Sequence, residues 1–223
     1  MTLQHSGAYA TTAGVPAQPQ MPVRRLRKAL GVPVLRDLRD RSGRSPRRLM
    51  FAAGDVVVVS GLPGSGKSTL IRRAASGRRI DSQDTRDRWD ARMPAFLPYG
   101  VYRPLVRIAH YTGLRRALRS GESVVVHDCG TQAWVRRWLA REARRRGRAL
   151  HLVLLDVPPK VARQGQRERG RDVSGYAFAR HRRGVGRLIT DAESGRVPSG
   201  VSSVVLLDRD AATVLSRVGF LEG

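Results

Sequence analysis

Gly61-Leu62-Pro63-Gly64-Ser65-Gly66-Lys67-Ser68-Thr69 carries the spacing G-x-x-x-x-G-K-S, and every residue type in it suits the handling of phosphate. Glycines let backbone N–H groups approach an anion, because they accept positive φ and have no Cβ. The lysine brings a positive charge to β- and γ-phosphate oxygens, and the serine hydroxyl after it can ligate Mg2+. Such a loop works only between a strand and a helix whose N-terminus adds further N–H groups. Val56, Val57, Val58 and Val59 ahead of it read as a buried strand, and residues 68–76 behind it as a helix. The segment is therefore read as a phosphate-binding P-loop with nucleotide and Mg2+ as its cofactors. A guanine reader would need N-K-x-D, and the chain contains no asparagine, so ATP is the expected nucleotide.

These residues need a scaffold, and the surrounding pattern supplies one. Residues 56–60, 123–127, 149–157 and 204–207 are apolar runs of strand length, and residues 105–119, 133–146, 160–169, 176–189 and 211–218 have helical spacing. Strands apolar on both faces, alternating with helices, predict an α/β fold. Its parallel sheet is covered by helices on both faces, as in a P-loop NTPase. Trp134 and Trp138, four apart, read as core positions of one helix. The domain is drawn over residues 50–223. Residues 1–49 are expected to form a flexible basic extension, rich at its start in Ala, Gln, Thr, Pro and Gly and so disordered. Within it, Leu26, Leu30, Leu35 and Leu38 have the spacing of a short amphipathic helix, interrupted near Gly31 and Pro33, and residues 41–48 read as a solvated tether.

The chain has 223 residues and a formal charge of +24. Lys28, Lys67 and Lys160 are its only lysines among 42 basic residues. That field attracts polyanions, so the charge admits nucleic acid as a partner. No run approaches the ~18–20 apolar residues of a membrane span, and no basic region precedes an apolar one in the manner of a secretory signal. No membrane partner is expected. A single cysteine, Cys129, excludes an internal disulfide and reads as inert; the chain is expected in the cytoplasm.

Three further segments bear on function: Ile80-Asp81-Ser82-Gln83-Asp84-Thr85-Arg86; Val124-Val125-Val126-His127-Asp128-Cys129-Gly130-Thr131; and Leu152 to Pro158 followed by Arg163, Arg167, Arg169 and Arg171. Together with the P-loop they resemble the small P-loop kinases that include polynucleotide 5′-kinases, zeta-toxin-like kinases and chloramphenicol phosphotransferase-like proteins, over about residues 55–208. The resemblance implies that Asp81 or Asp84 takes the acceptor proton and that Asp128 joins Ser68 at the metal. It also implies that Arg163 and Arg167 stabilise the moving phosphoryl group, and that residues 88–104 wall an acceptor site. Gln83 departs from the pattern, standing where an adjacent carboxylate is expected, and Asp81 or Ser82 equally suits a helix N-cap. The implied activity is ATP-dependent phosphoryl transfer to a hydroxyl of a small molecule. The alternatives are an ATP-binding regulator and a 5′-hydroxyl nucleic-acid kinase. Steep salt dependence would mark the last of these.

Overall fold

The computed structural model of the chain describes residues 33–41, 44–94, 96–127, 132–168 and 174–221. In chain order the elements are β1 (Val34–Asp37), β2 (Arg48–Phe51), β3 (Val56–Gly61), α1 (Lys67–Ala74), β4 (Arg78–Ile80), α2 (Ser82–Asp90), α3 (Tyr99–Arg119), β5 (Val124–His127), α4 (Ala133–Arg144), β6 (Leu150–Leu155), α5 (Pro159–Arg167), α6 (Gly175–Glu193), β7 (Ser203–Leu207), α7 (Arg209–Val214) and β8 (Arg217–Phe220). Six strands form one sheet in the order β1-β7-β6-β3-β5-β4, and every pairing in it is parallel. A second, two-stranded parallel sheet joins β2 to β8.

The all-apolar strands follow from cover on both faces. Val56 and Val58 point into a core with Leu114, Leu118, Val135, Leu139 and Leu188 of α3, α4 and α6. Val57 and Val59, one residue out of phase, join Leu70, Ile71 and Ala74 of α1 and Ala211 of α7 on the other face. Because every strand runs the same way, the loops after β3, β4, β5, β6 and β7 gather at one edge.

The opposite edge is closed by a buried polar network. Asp55, 1% exposed, accepts from the backbone N–H of Ala149 at 2.9 Å and of Ala52 at 3.0 Å, and His151 Nε2 lies 3.1 Å from its second oxygen. His151 Nδ1 reaches Ser203 Oγ at 2.6 Å, under the ring of Phe51.

The structure departs from the sequence expectations in three places. Where a helix is expected to run through Leu35 and Leu38, residues 34–37 are instead β1, hydrogen-bonded along the outer edge of β7, with Leu38 buried just after it, and β2 begins at Arg48, ahead of Met50. The part of the expected extension before residue 33 lies outside the described residues. All four β1 side chains are exposed, so apolar spacing carries no signal there. The strand is fixed by its ladder and by Arg39, which pairs with Asp37, Asp156 and Glu193 at 2.6–2.8 Å. The last helix ends at Val214, and residues 217–220 form β8. Finally, Trp134 is not in the core: it is 49% exposed, while Trp138 is partly buried against it.

Candidate functional site

The P-loop turns between β3 and α1 as its glycines require. Gly64 and Gly66 have φ of 84° and 94°, and Gly66 caps α1 from the left-handed region. A Cβ on Gly64 would lie 2.0 Å from the Ala162 carbonyl oxygen of α5, and one on Gly165 would lie 2.8 Å from the Gly64 carbonyl. Helix α5 is therefore seated directly on the phosphate loop. Lys67 is buried and donates from Nζ to the carbonyls of Gly61 and Leu62, at 2.9 and 2.7 Å. A cavity of about 240 Å³ opens beside the loop, lined by Gly64, Ser65, Gly66 and Thr69 on one side and by Gln164, Arg209 and Thr213 on the other. Ser65 Oγ is buried and has no hydrogen-bond partner among the described residues. An unsatisfied hydroxyl in a glycine-rich, N–H-rich turn fits a phosphate group.

Strand order brings a second set of residues to this loop. β5 lies between β3 and β4, so the end of β5 is flanked by the P-loop that follows β3 and by Asp81 that follows β4. His127, the last residue of β5, uses both neighbours. Its Nδ1 is 2.8 Å from Asp81 Oδ1, and its Nε2 is 3.4 Å from Ser68 Oγ. Asp81 also caps α2, accepting from the Gln83 N–H at 2.9 Å, so the capping reading and the contact with the site hold for one residue. Burial alone would raise the Asp81 pKa; His127 and the Gln83 N–H outweigh it and hold the carboxyl below its usual range. Burial pushes the pKa of His110 of α3 down, outweighing the pull of the nearby Asp81 carboxylate.

The remaining expected residues are distributed as follows. Asp84 is exposed in the first turn of α2. Arg163 lies with its guanidinium 4.8 Å from the Phe178 ring of α6, and Arg167 is exposed one turn further along α5. Asp128, Cys129, Thr131, Arg169 and Arg171 lie outside the described residues. Of residues 88–104, the end of α2 and the start of α3 are tied together: Tyr102 donates to Asp90 at 2.7 Å, and the Arg86 guanidinium lies 4.0 Å above the Tyr99 ring. His127 as the link between Ser68 and Asp81 had no sequence signal, because the pairing follows from strand order and not from spacing. Gln164, Arg209 and Thr213 were likewise found only in three dimensions. Among the described residues no cluster of three or more His, Cys, Asp or Glu could hold a metal, and no helix is long and apolar enough to cross a membrane.

Residues 56–188, the stretch from the P-loop strand through most of α6, match the AAA domain family AAA_33. The chain belongs to this family. It is a nucleotide-binding AAA domain built on a parallel α/β sheet. No curated protein matches the chain. Among solved structures it is similar to part of the PezAT toxin–antitoxin system of Streptococcus pneumoniae, at 16% identity over 86% of this chain and 83% of that one, with a TM-score of 0.48. A gluconokinase from Sinorhizobium meliloti is similar at 19% identity over 74% and 93%, with a TM-score of 0.40. The tunicamycin resistance protein of Deinococcus radiodurans is similar at 16% identity over 65% and 86%, also with a TM-score of 0.40.

Proposed function

We propose that this AAA domain is an ATP- and Mg2+-dependent kinase that transfers the γ-phosphoryl group to a hydroxyl of a small molecule. The observation that carries the reading is the contact chain from Ser68 through His127 to Asp81. It joins an ionised carboxylate to the phosphate loop of a nucleotide-binding fold. In this reading Lys67 leaves the Gly61 and Leu62 carbonyls for β- and γ-phosphate oxygens, and residues 61–69 wrap the phosphates, the backbone N–H groups from Gly64 to Thr69 donating to them. The acceptor oxygen forms a bond to the γ-phosphorus as the bond to the β–γ bridging oxygen breaks, and ADP leaves with that electron pair. The acceptor proton passes to a carboxylate, Asp81 or the exposed Asp84 nearby on α2. Ser68 and Asp128 are the residues that would hold Mg2+, which when bound would supply charge neutralisation. Arg163 and Arg167, on the helix seated on the loop, answer the charge that develops in transfer. Residues 88–104 form the acceptor wall.

The test is ADP release by the full chain with and without a panel of hydroxyl acceptors, among them nucleosides, amino sugars, aminoglycoside-like alcohols and 5′-hydroxyl oligonucleotides. Acceptor-dependent release is expected with at least one member, falling by ~100-fold or more in Lys67→Ala. Tight ATP binding with no acceptor-dependent release across the panel would assign the domain to nucleotide-dependent regulation instead.

A further inference from the structure

Helices α3 and α4 lie side by side on one face of the sheet, and their outer surfaces combine two kinds of side chain. Arg103, Arg107, Tyr111 and Arg115 follow one another at four-residue intervals along α3, about 6 Å per step. On α4, Trp134 and Trp138 are one turn apart, as are Arg137 and Arg141. The Tyr111 ring sits between the two indoles, 5.4 Å from Trp134 and 6.1 Å from Trp138. Two adjoining hollows, of about 840 and 470 Å³, share Tyr111 and Trp138, and no carboxylate lines either. The five arginines are exposed, and among the described residues none of them pairs with an acid. Arg39, Arg145, Arg146 and Arg196 elsewhere do.

We propose that this α3–α4 surface binds single-stranded nucleic acid, with the arginines on successive phosphates and the Tyr111–Trp134–Trp138 cluster stacking bases. Exposed unpaired guanidiniums in a row match a linear polyanion, and half-exposed rings between them match bases that are free of a duplex. A second copy of the chain would bring like charges together, given the net +24. The surface shares no lining residue with the phosphate-side cavity. The inference therefore goes beyond the kinase reading, and binding is measured without nucleotide turnover.

The experiment is fluorescence anisotropy of a labelled oligouridylate with the full chain as NaCl is raised. Affinity is expected to fall linearly with salt on logarithmic axes. In Arg103→Ser/Arg107→Ser/Arg115→Ser the slope should drop by about 0.7 per lost phosphate contact. Trp134→Ala is expected to weaken binding about tenfold at an unchanged salt slope, and Trp134→Phe to restore most of it. Trp134 is exposed, so thermal unfolding of both Trp134 variants should match the parent. Three results would overturn the proposal: equal affinity in Trp134→Ala, equal affinity for a duplex of the same length, or binding to phosphatidylserine vesicles with none to the oligouridylate.

Discussion

The same three residue types meet twice in this molecule, at opposite ends of one parallel sheet. At the start of the strands, Asp55, His151 and Ser203 form a network in which Asp55 is 1% and His151 3% exposed. Asp55 accepts two backbone N–H groups as well as facing the histidine. At the ends of the strands, Asp81, His127 and Ser68 are more open to solvent, with a shorter His–Asp contact of 2.8 Å against 3.1 Å and a longer Ser–His one. The Ser–His distance is 3.4 Å rather than 2.6 Å, and the His127 and Asp81 side chains retain 12% and 13% exposure. The first set ties β3, β6 and β7 together, with its carboxylate and imidazole buried. The second adjoins a glycine-rich loop with an unsatisfied hydroxyl beside a cavity. A Ser–His–Asp contact therefore says nothing of chemistry by itself; access and neighbours assign the role.

The contrast is broken most directly at Asp55. Asp55→Ala leaves the Ala52 and Ala149 N–H groups and His151 without their acceptor inside the protein. Removing one partner of a buried pair costs about 3–5 kcal/mol, a large share of the ~5–15 kcal/mol that holds a typical fold together. The urea midpoint should fall accordingly, while nucleotide affinity per folded molecule stays at the parental level. A loss below about 1 kcal/mol would mean that the buried network is not the stabilising one.

His127→Ala tests the other end, on the kinase reading. Loss of a residue that positions a reacting group through another side chain costs about 10–100-fold in activity. Acceptor-dependent turnover should fall by that much, with stability changed by about 1 kcal/mol at most. His127→Gln, which keeps an amide able to reach one neighbour, should fall between. A variant that unfolds while its remaining folded fraction turns over normally would reverse the assignment of roles.

The fold was legible wherever both faces of a strand are covered. The valine run of β3 and the leucine run of β6 can be nothing but buried, and the Gly64–Gly66–Lys67 spacing marks a turn that few other residues could adopt. β1 was illegible because its side chains are exposed and its place is set by ladder bonds and Arg39. Trp134 was misread because four-residue spacing on a helix is the same for a core stripe and for a surface cluster. In the candidate site, Lys67, Ser68 and Asp81 were legible one by one. Their meeting through His127 was not, since it depends on β5 lying between β3 and β4.

The smallest effect concerns acid. Asp81 is held below its ordinary value of 3.8, with His127 and the Gln83 N–H overcoming the cost of burial. A carboxyl depressed in the folded state stabilises it fully above the unfolded value and loses that contribution as pH falls through the folded one. Its share of stability should therefore be intact at neutral pH and disappear below about pH 4. Asp81→Asn, which can still cap α2 through its side-chain oxygen, should lower the melting temperature slightly at pH 7. It should also flatten the acid limb of the stability profile, so that the curves of parent and variant converge in strong acid. Since the pair is partly open to water, the gap at pH 7 should be well below that of Asp55→Ala. Equal gaps would show that both ends of the sheet are held by charge to the same degree, and that access alone separates them.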